Sequence, residues 1–199
     1  MKLPKELGTL NDLKEREARA FERMQAWRSE LDDCYEYFLP NRNLFDSKTP
    51  GSNKMENIFD SVPIQAIQEG ASKLQENIAP IWSRWAVLQP TQYFKTLIEA
   101  NEGVSTEEIQ AQLDKQSDII FDYINRSNFA TQFYEASLEL LIGTSTIRVD
   151  DQDDDNMPIV FHAVPQVGLA FEEGPEGTIE THWRKFKVQA RNLTRQWDG

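Results

Sequence analysis

Five carboxylates in seven residues, Asp150-Asp151-Gln152-Asp153-Asp154-Asp155-Asn156, make up the densest chemical feature of the chain. Asp151, Asp153 and Asp155 have the odd-position spacing of a calcium loop. The pattern breaks at the sixth position, where Asn156 replaces the turn glycine, and at the twelfth, where His162 stands in place of a bidentate Glu. A solvated turn tip, where repelling carboxylates stay hydrated and discourage edge pairing, accounts for the run better than a cation site. The only histidines, His162 and His182, fall in separate strand-like segments. With the single cysteine, Cys34, far upstream, they do not make a zinc ligand set. Gly143-Thr144 follows a helical pattern and precedes a strand-like one, the reverse of the order in a phosphate-binding loop. Glu135 and Glu139 sit at helical spacing on a side read as exposed, so nothing marks them as an acid–base pair. Trp82, Trp85, Trp183 and Trp197 have few interleaved basic residues apart from Arg84 and the 184–187 patch, and fit core or subunit contacts better than base stacking. No residue is assigned a catalytic, cofactor-binding or metal-ligating role, and no cofactor is expected.

Composition narrows the classes further. Lys and Arg number 21 against 33 Asp and Glu, a net charge of −12, which opposes a non-specific grip on nucleic acid through phosphate neutralisation. The same charge is compatible with a conduit through which a polyanion slides. One cysteine forms no intrachain disulfide, which suits a reducing compartment, and Cys34 reads as a buried structural thiol. The first ten residues lack the apolar run of a signal peptide, no stretch reaches membrane-spanning length, and no repeat is visible, so a soluble protein is expected.

The elements that position these residues read as helices first and strands later. Leu10, Leu13, Ala20, Met24, Trp27, Leu31, Cys34 and Phe38 form one stripe. It predicts a single amphipathic helix from Thr9 to about Phe38, roughly 45 Å long, capped by Thr9 with Asp12 and stopped before Pro40. A polar loop spans residues 41–56. A second helix starts at Asp60 or Ser61 with Pro63 in its first turn, carries Ile64, Ile67, Ala71, Leu74 and Ile78, and ends at Pro80. Trp82, Trp85, Val87 and Leu88, bracketed by prolines, predict a short strand. The segment from Pro90 to Gly103 stays open, with a short helical turn as one option. Ser105 and Glu108 open a helix through Ile109, Leu113, Ile120 and Ile124 to Arg126; Asn128 caps the next, through Phe129, Phe133, Ala136, Leu140 and Leu141 to Gly143. Alternation then predicts strands around 144–149, 159–164, 168–171 and 178–186, and a closing helix over 187–197. The fold class is therefore α+β, mainly helical, with a small antiparallel sheet and a C-terminal helix.

The stretch IFDSVPIQAIQEGASKLQENIAP followed by WSRWAVLQP resembles the N-terminal region of the head-to-tail connector, or portal, proteins of short-tailed phages. Other pieces follow in the family's order: Tyr37-Phe38-Leu39-Pro40-Asn41-Arg42, Ser127-Asn128-Phe129, Gly143-Thr144 before Ile147-Arg148-Val149, and Arg184-Lys185-Phe186. The resemblance implies a non-enzymatic virion protein at the capsid vertex, present in host cytoplasm during assembly. It also implies a homododecameric ring serving genome packaging, tail attachment and DNA ejection, with terminase, capsid and tail or adaptor proteins as partners and no membrane. DNA would pass through without sequence-specific binding. Residues 1–142 would be a helical wing-like region and 143–199 a β region with its terminal helix, packed together as one domain. The resemblance covers a leading part of the family, so the stem, clip and crown regions are absent and the chain reads as truncated relative to it. Two readings from other classes stand beside this one: an acidic interaction module from a degenerate prophage portal gene, and a carboxylate-dependent hydrolase.

Overall fold

Helices occupy the first two thirds of the computed structural model and strands the remainder, as the α+β, mainly helical reading expects. The structure describes residues 8–42, 58–100, 105–154 and 156–190, with side chains omitted for 97–100. The expected loop at 41–56 lies almost wholly outside the described residues, as do positions 191–197 of the expected closing helix; residues 187–189 are not helical.

The chain divides into two compact units. The first takes Met1–Gln65, Ile142–Thr144 and Val164–Gly199; the second takes Ala66–Leu141 and Ser145–Ala163.

In the first unit, α1 (Leu10–Gln25) opens with the expected capping box, in which the Thr9 and Asp12 side chains each receive the other's backbone N–H. The predicted single helix is interrupted: α2 spans Arg28–Phe38. Ala26 N–H reaches Arg23 C=O and Trp27 N–H reaches Met24 C=O, a tightening from i−4 to i−3 bonding, and Trp27 leaves helical geometry with ψ near −4°. Neither proline nor glycine marks this break. The buried residues shift accordingly: Ala20, Leu31 and Tyr35 are enclosed, Leu10 and Trp27 are exposed, and Cys34 is half-buried rather than buried.

The first unit also holds a hairpin of β3 (Leu169–Glu173) and β4 (Ile179–Arg184), antiparallel, with Ala170 opposite Trp183 and Glu172 opposite Thr181. Leu169 and Ala170 are buried. Gly168 leads into β3, and a Cβ built there would stand 2.4 Å from the Lys185 carbonyl oxygen. Gly168→Ala is expected to push the two strands apart at that end and cost about 1–3 kcal/mol, seen as a lowered urea midpoint. An unchanged midpoint would show that the backbone accommodates the methyl group.

The second unit is built from most of α3 (Val62–Ile78), with α4 (Gln92–Ala100), α5 (Thr106–Arg126), α6 (Phe129–Ile142), β1 (Thr146–Asp151) and β2 (Ile159–Val164). At the start of α3, Asp60 Oδ1 accepts from Val62 N–H at 2.9 Å and supplies the side-chain cap, while the Ser61 C=O accepts the first helical bond, from Gln65 N–H at 3.0 Å. Ile67 and Ala71 form the buried stripe. The open segment after Pro90 is a helix, α4. Ser105 and Glu108 form the capping box of α5, whose buried face runs through Ser117 and Phe121, leaving Ile120 exposed.

The predicted tryptophan strand is absent: residues 84–90 take no regular secondary structure and join no sheet. The physical reason is that α5 side chains take the place of a strand partner. Leu88 N–H donates to Ser117 Oγ at 3.1 Å, and Gln110 Nε2 donates to Leu88 C=O at 3.4 Å.

The predicted strands form two separate two-stranded sheets. A connection of seven residues between β1 and β2 is too short for a parallel crossover, so this pair is also a hairpin.

Candidate interaction surface

The residues with the most chemical promise do not converge. Asp150 at the end of β1 pairs with Arg148 and lies 3.4 Å from His162 Nε2. Asp154 turns the chain, its Oδ1 accepting Asn156 N–H at 2.9 Å, while Asp151 and Asp153 are exposed; Asp155 lies outside the described residues. His182 packs edge-on against Phe171, in the other unit from His162. Among the described residues no three His, Cys, Asp or Glu side chains gather in metal-binding geometry. Glu139 is buried at 6% exposure, which corrects its reading as solvent-facing, and Glu135 is half-buried. Of the tryptophans, Trp82 stands 94% exposed, Trp85 enters an aromatic cluster, Trp183 joins a polar contact, and Trp197 is outside the described residues.

What the fold does assemble, in the first unit, is a fork between α1 and the β3–β4 hairpin. Arg16 Nε donates to both Glu172 oxygens at 3.1 Å, and its Nη2 donates to Glu172 Oε2 at 2.8 Å and to Thr181 Oγ1 at 3.3 Å. Trp183 Nε1 donates to the same carboxylate at 3.4 Å while its ring lies under the guanidinium, 5.9 Å away. Lys185 repeats the arrangement, 2.9 Å from Glu17 and 3.9 Å from the Phe21 ring centroid. The contacts from α1 to the hairpin join residues more than 150 positions apart, so no local pattern announces them.

The hydrogen bond from Arg16 is the chief reason that the Glu172 carboxyl lies below the usual glutamate range; the guanidinium charge and the Trp183 N–H act in the same direction and partial burial opposes them. A depressed carboxylate stabilises the folded state above its unfolded pKa, and that contribution disappears as pH falls through the folded pKa. Glu172→Gln should therefore lower the urea midpoint at pH 7 and converge with the parent protein as pH drops from about 4.5 downward. Parallel midpoint-versus-pH curves for the two proteins would show that Glu172 carries no such linkage.

Beside this fork lies an open groove of about 650 Å³. Met24, Trp27, Leu31 and Cys34 form one side and Leu169 and Phe171 another. Its lining is more apolar than polar, and Arg23, Glu30 and Glu173 share it with the Cys34 thiol.

In the second unit, helix side chains seal one sheet edge. Asn128 Nδ2 donates to Phe161 C=O at 2.8 Å and its Oδ1 accepts Phe161 N–H at 2.9 Å, while Gln132 Oε1 accepts Ala163 N–H at 2.7 Å. Asn128 holds the expected N-cap position, its C=O accepting Gln132 N–H at 3.1 Å. The side-chain cap, however, comes from Ser127, whose Oγ accepts Phe129 N–H at 3.1 Å. The carboxamide is thus left to act as a strand mimic for β2.

The fold thus presents two α+β units, each tied internally by side-chain clamps, with an open groove in one of them. The chain belongs to the bacteriophage head to tail connecting protein family, which it matches over residues 10–198. A search of curated proteins returns no match. Its role is that of a phage structural connector, with the contacts to capsid and tail proteins and the place in the virion that this family implies. No helix among the described residues is long and apolar enough to cross a membrane.

Proposed function

We propose that this chain is a subunit of the portal ring at one capsid vertex, in the style of short-tailed phages, serving genome packaging, tail attachment and DNA ejection. The observation that carries the reading is the family match, which runs from the first residue of α1 to beyond β4. A ring closes through heterologous contacts, so each subunit presents two different complementary faces. The helical region 1–142 and the β region 143–199 would together form the outer, wing-like part of that subunit. A dodecamer is the expected assembly, with terminase on the packaging side and tail or adaptor proteins afterwards. The net charge of −12 supports a conduit that DNA traverses without being held, since an excess of carboxylates opposes tight binding to phosphates.

Light scattering with negative-stain imaging of the purified chain tests the proposal. Rings of about a dozen subunits support it. A monomer that also stays out of rings formed by another connector of the same family overturns it.

A further inference from the structure

The two edges of the β1–β2 hairpin are treated differently by the fold. The bond from Gln152 N–H to Pro158 C=O, 2.8 Å, sets the phase of the ladder. Counting in steps of two along an antiparallel pair, the main chain of Asp150 and Arg148 faces β2, and that of Ile147, Val149 and Asp151 faces away. The same count turns Phe161 and Ala163 away from β1, which is where Asn128 and Gln132 bind them. The outer edge of β2 is therefore closed. On β1 the outward N–H and C=O groups of Ile147, Val149 and Asp151 make no hydrogen bond among the described residues. Val149 is 59% exposed beside them.

A strand edge of this kind is a template for one more strand. The charge around it selects the occupant. Asp151, Asp153 and Asp154 are exposed at the end of β1 and have no cationic partner among the described residues, whereas Asp150 is matched by Arg148 and His162. A second copy of a chain with net charge −12 brings more negative charge to this place.

We propose that the free edge of β1 accepts an extended, lysine- or arginine-bearing segment of a different protein, added as a third strand. Main-chain hydrogen bonds to Ile147 and Val149 hold the segment, and its cations meet the carboxylates beyond Asp150. This docking does not depend on ring closure.

The probe is an end-capped peptide of alternating valine and lysine, titrated against the intact chain with amide hydrogen exchange as the readout. Slowed exchange at Val149, together with an affinity that falls as salt rises, is the expected result. Val149→Pro removes one outward donor at an edge position that tolerates proline. It should weaken binding about fivefold to tenfold, the effect of one or two main-chain hydrogen bonds, without altering the fold by circular dichroism. Asp151→Asn with Asp153→Asn and Asp154→Asn should weaken binding and flatten its salt dependence. The proposal is overturned if the Val149 amide is already protected in the free protein. Equal binding by a peptide of the same composition interrupted by proline, or by an alternating valine–glutamate peptide, also overturns it. Self-association of the chain that Val149→Pro abolishes would assign the edge to a second copy and overturn the choice of occupant.

Discussion

Phe161→Ala should destabilise the second unit by about 3–5 kcal/mol, the loss expected for truncating a large aromatic side chain in a packed core. Phe161 is 8% exposed and meets Phe129 edge-to-face, with ring centroids 5.0 Å apart. Phe129 in turn stacks on Trp85 at 5.7 Å and lies 5.4 Å from Phe133, and Trp85 meets Phe121 edge-on at 5.3 Å. The five rings come from the irregular segment after α3, from α5, from α6 and from β2. Removing one opens a cavity that its neighbours fill only by giving up their own favoured geometry. Urea denaturation gives the magnitude, and hydrogen exchange shows whether the loss is confined to residues 66–141 and 145–163. A change below about 1.5 kcal/mol would mean that the cluster collapses around the gap and is not the keystone of this unit.

The second large effect is expected at Asn128. Substitution by alanine leaves the Phe161 N–H and C=O without the partners that now sit at 2.9 and 2.8 Å, in a part-buried setting that water reaches poorly. Leaving a buried donor and acceptor unmatched costs about 2–4 kcal/mol in total. Exchange of the Phe161 amide should accelerate in Asn128→Ala. A Gln132→Ala change acts on the next outward group, Ala163 N–H, and the two substitutions should not add, because both release the same strand edge from α6. Strict additivity would show that the two carboxamides hold β2 independently. Loss of this edge closure also leaves β2 open to pairing with other chains, so faster aggregation of Asn128→Ala on heating is part of the same expectation.

The elements whose signals are local were legible. Thr9 with Asp12 and Ser105 with Glu108 identified two helix starts because a capping box is complete within four residues. Asp60, Ser61 and Pro63 did the same for α3, and the alternation after Gly143 announced four strands. The break at Ala26–Trp27 was not legible, since a turn tightened to i−3 bonding keeps the apolar spacing almost intact. The tryptophan segment was misread as a strand because β-propensity describes a residue's fit to a pleated surface and not whether a partner strand exists. There, Ser117 and Gln110 of α5 supplied the bonds.

The order of helices and strands, the acidic balance and the resemblance to phage connectors follow from the linear chain, because each rests on neighbours in sequence or on composition. Which polar side chains close a sheet edge, and which edge stays open, was decided only by tertiary structure. Phe161 lies 33 positions from Asn128 and Glu172 lies 156 from Arg16, and a distance in sequence carries no information about direction in space. The aspartate run shows both sides of this. Its charge is plain in the sequence, but its position at the end of a strand whose outer edge is open required the folded chain.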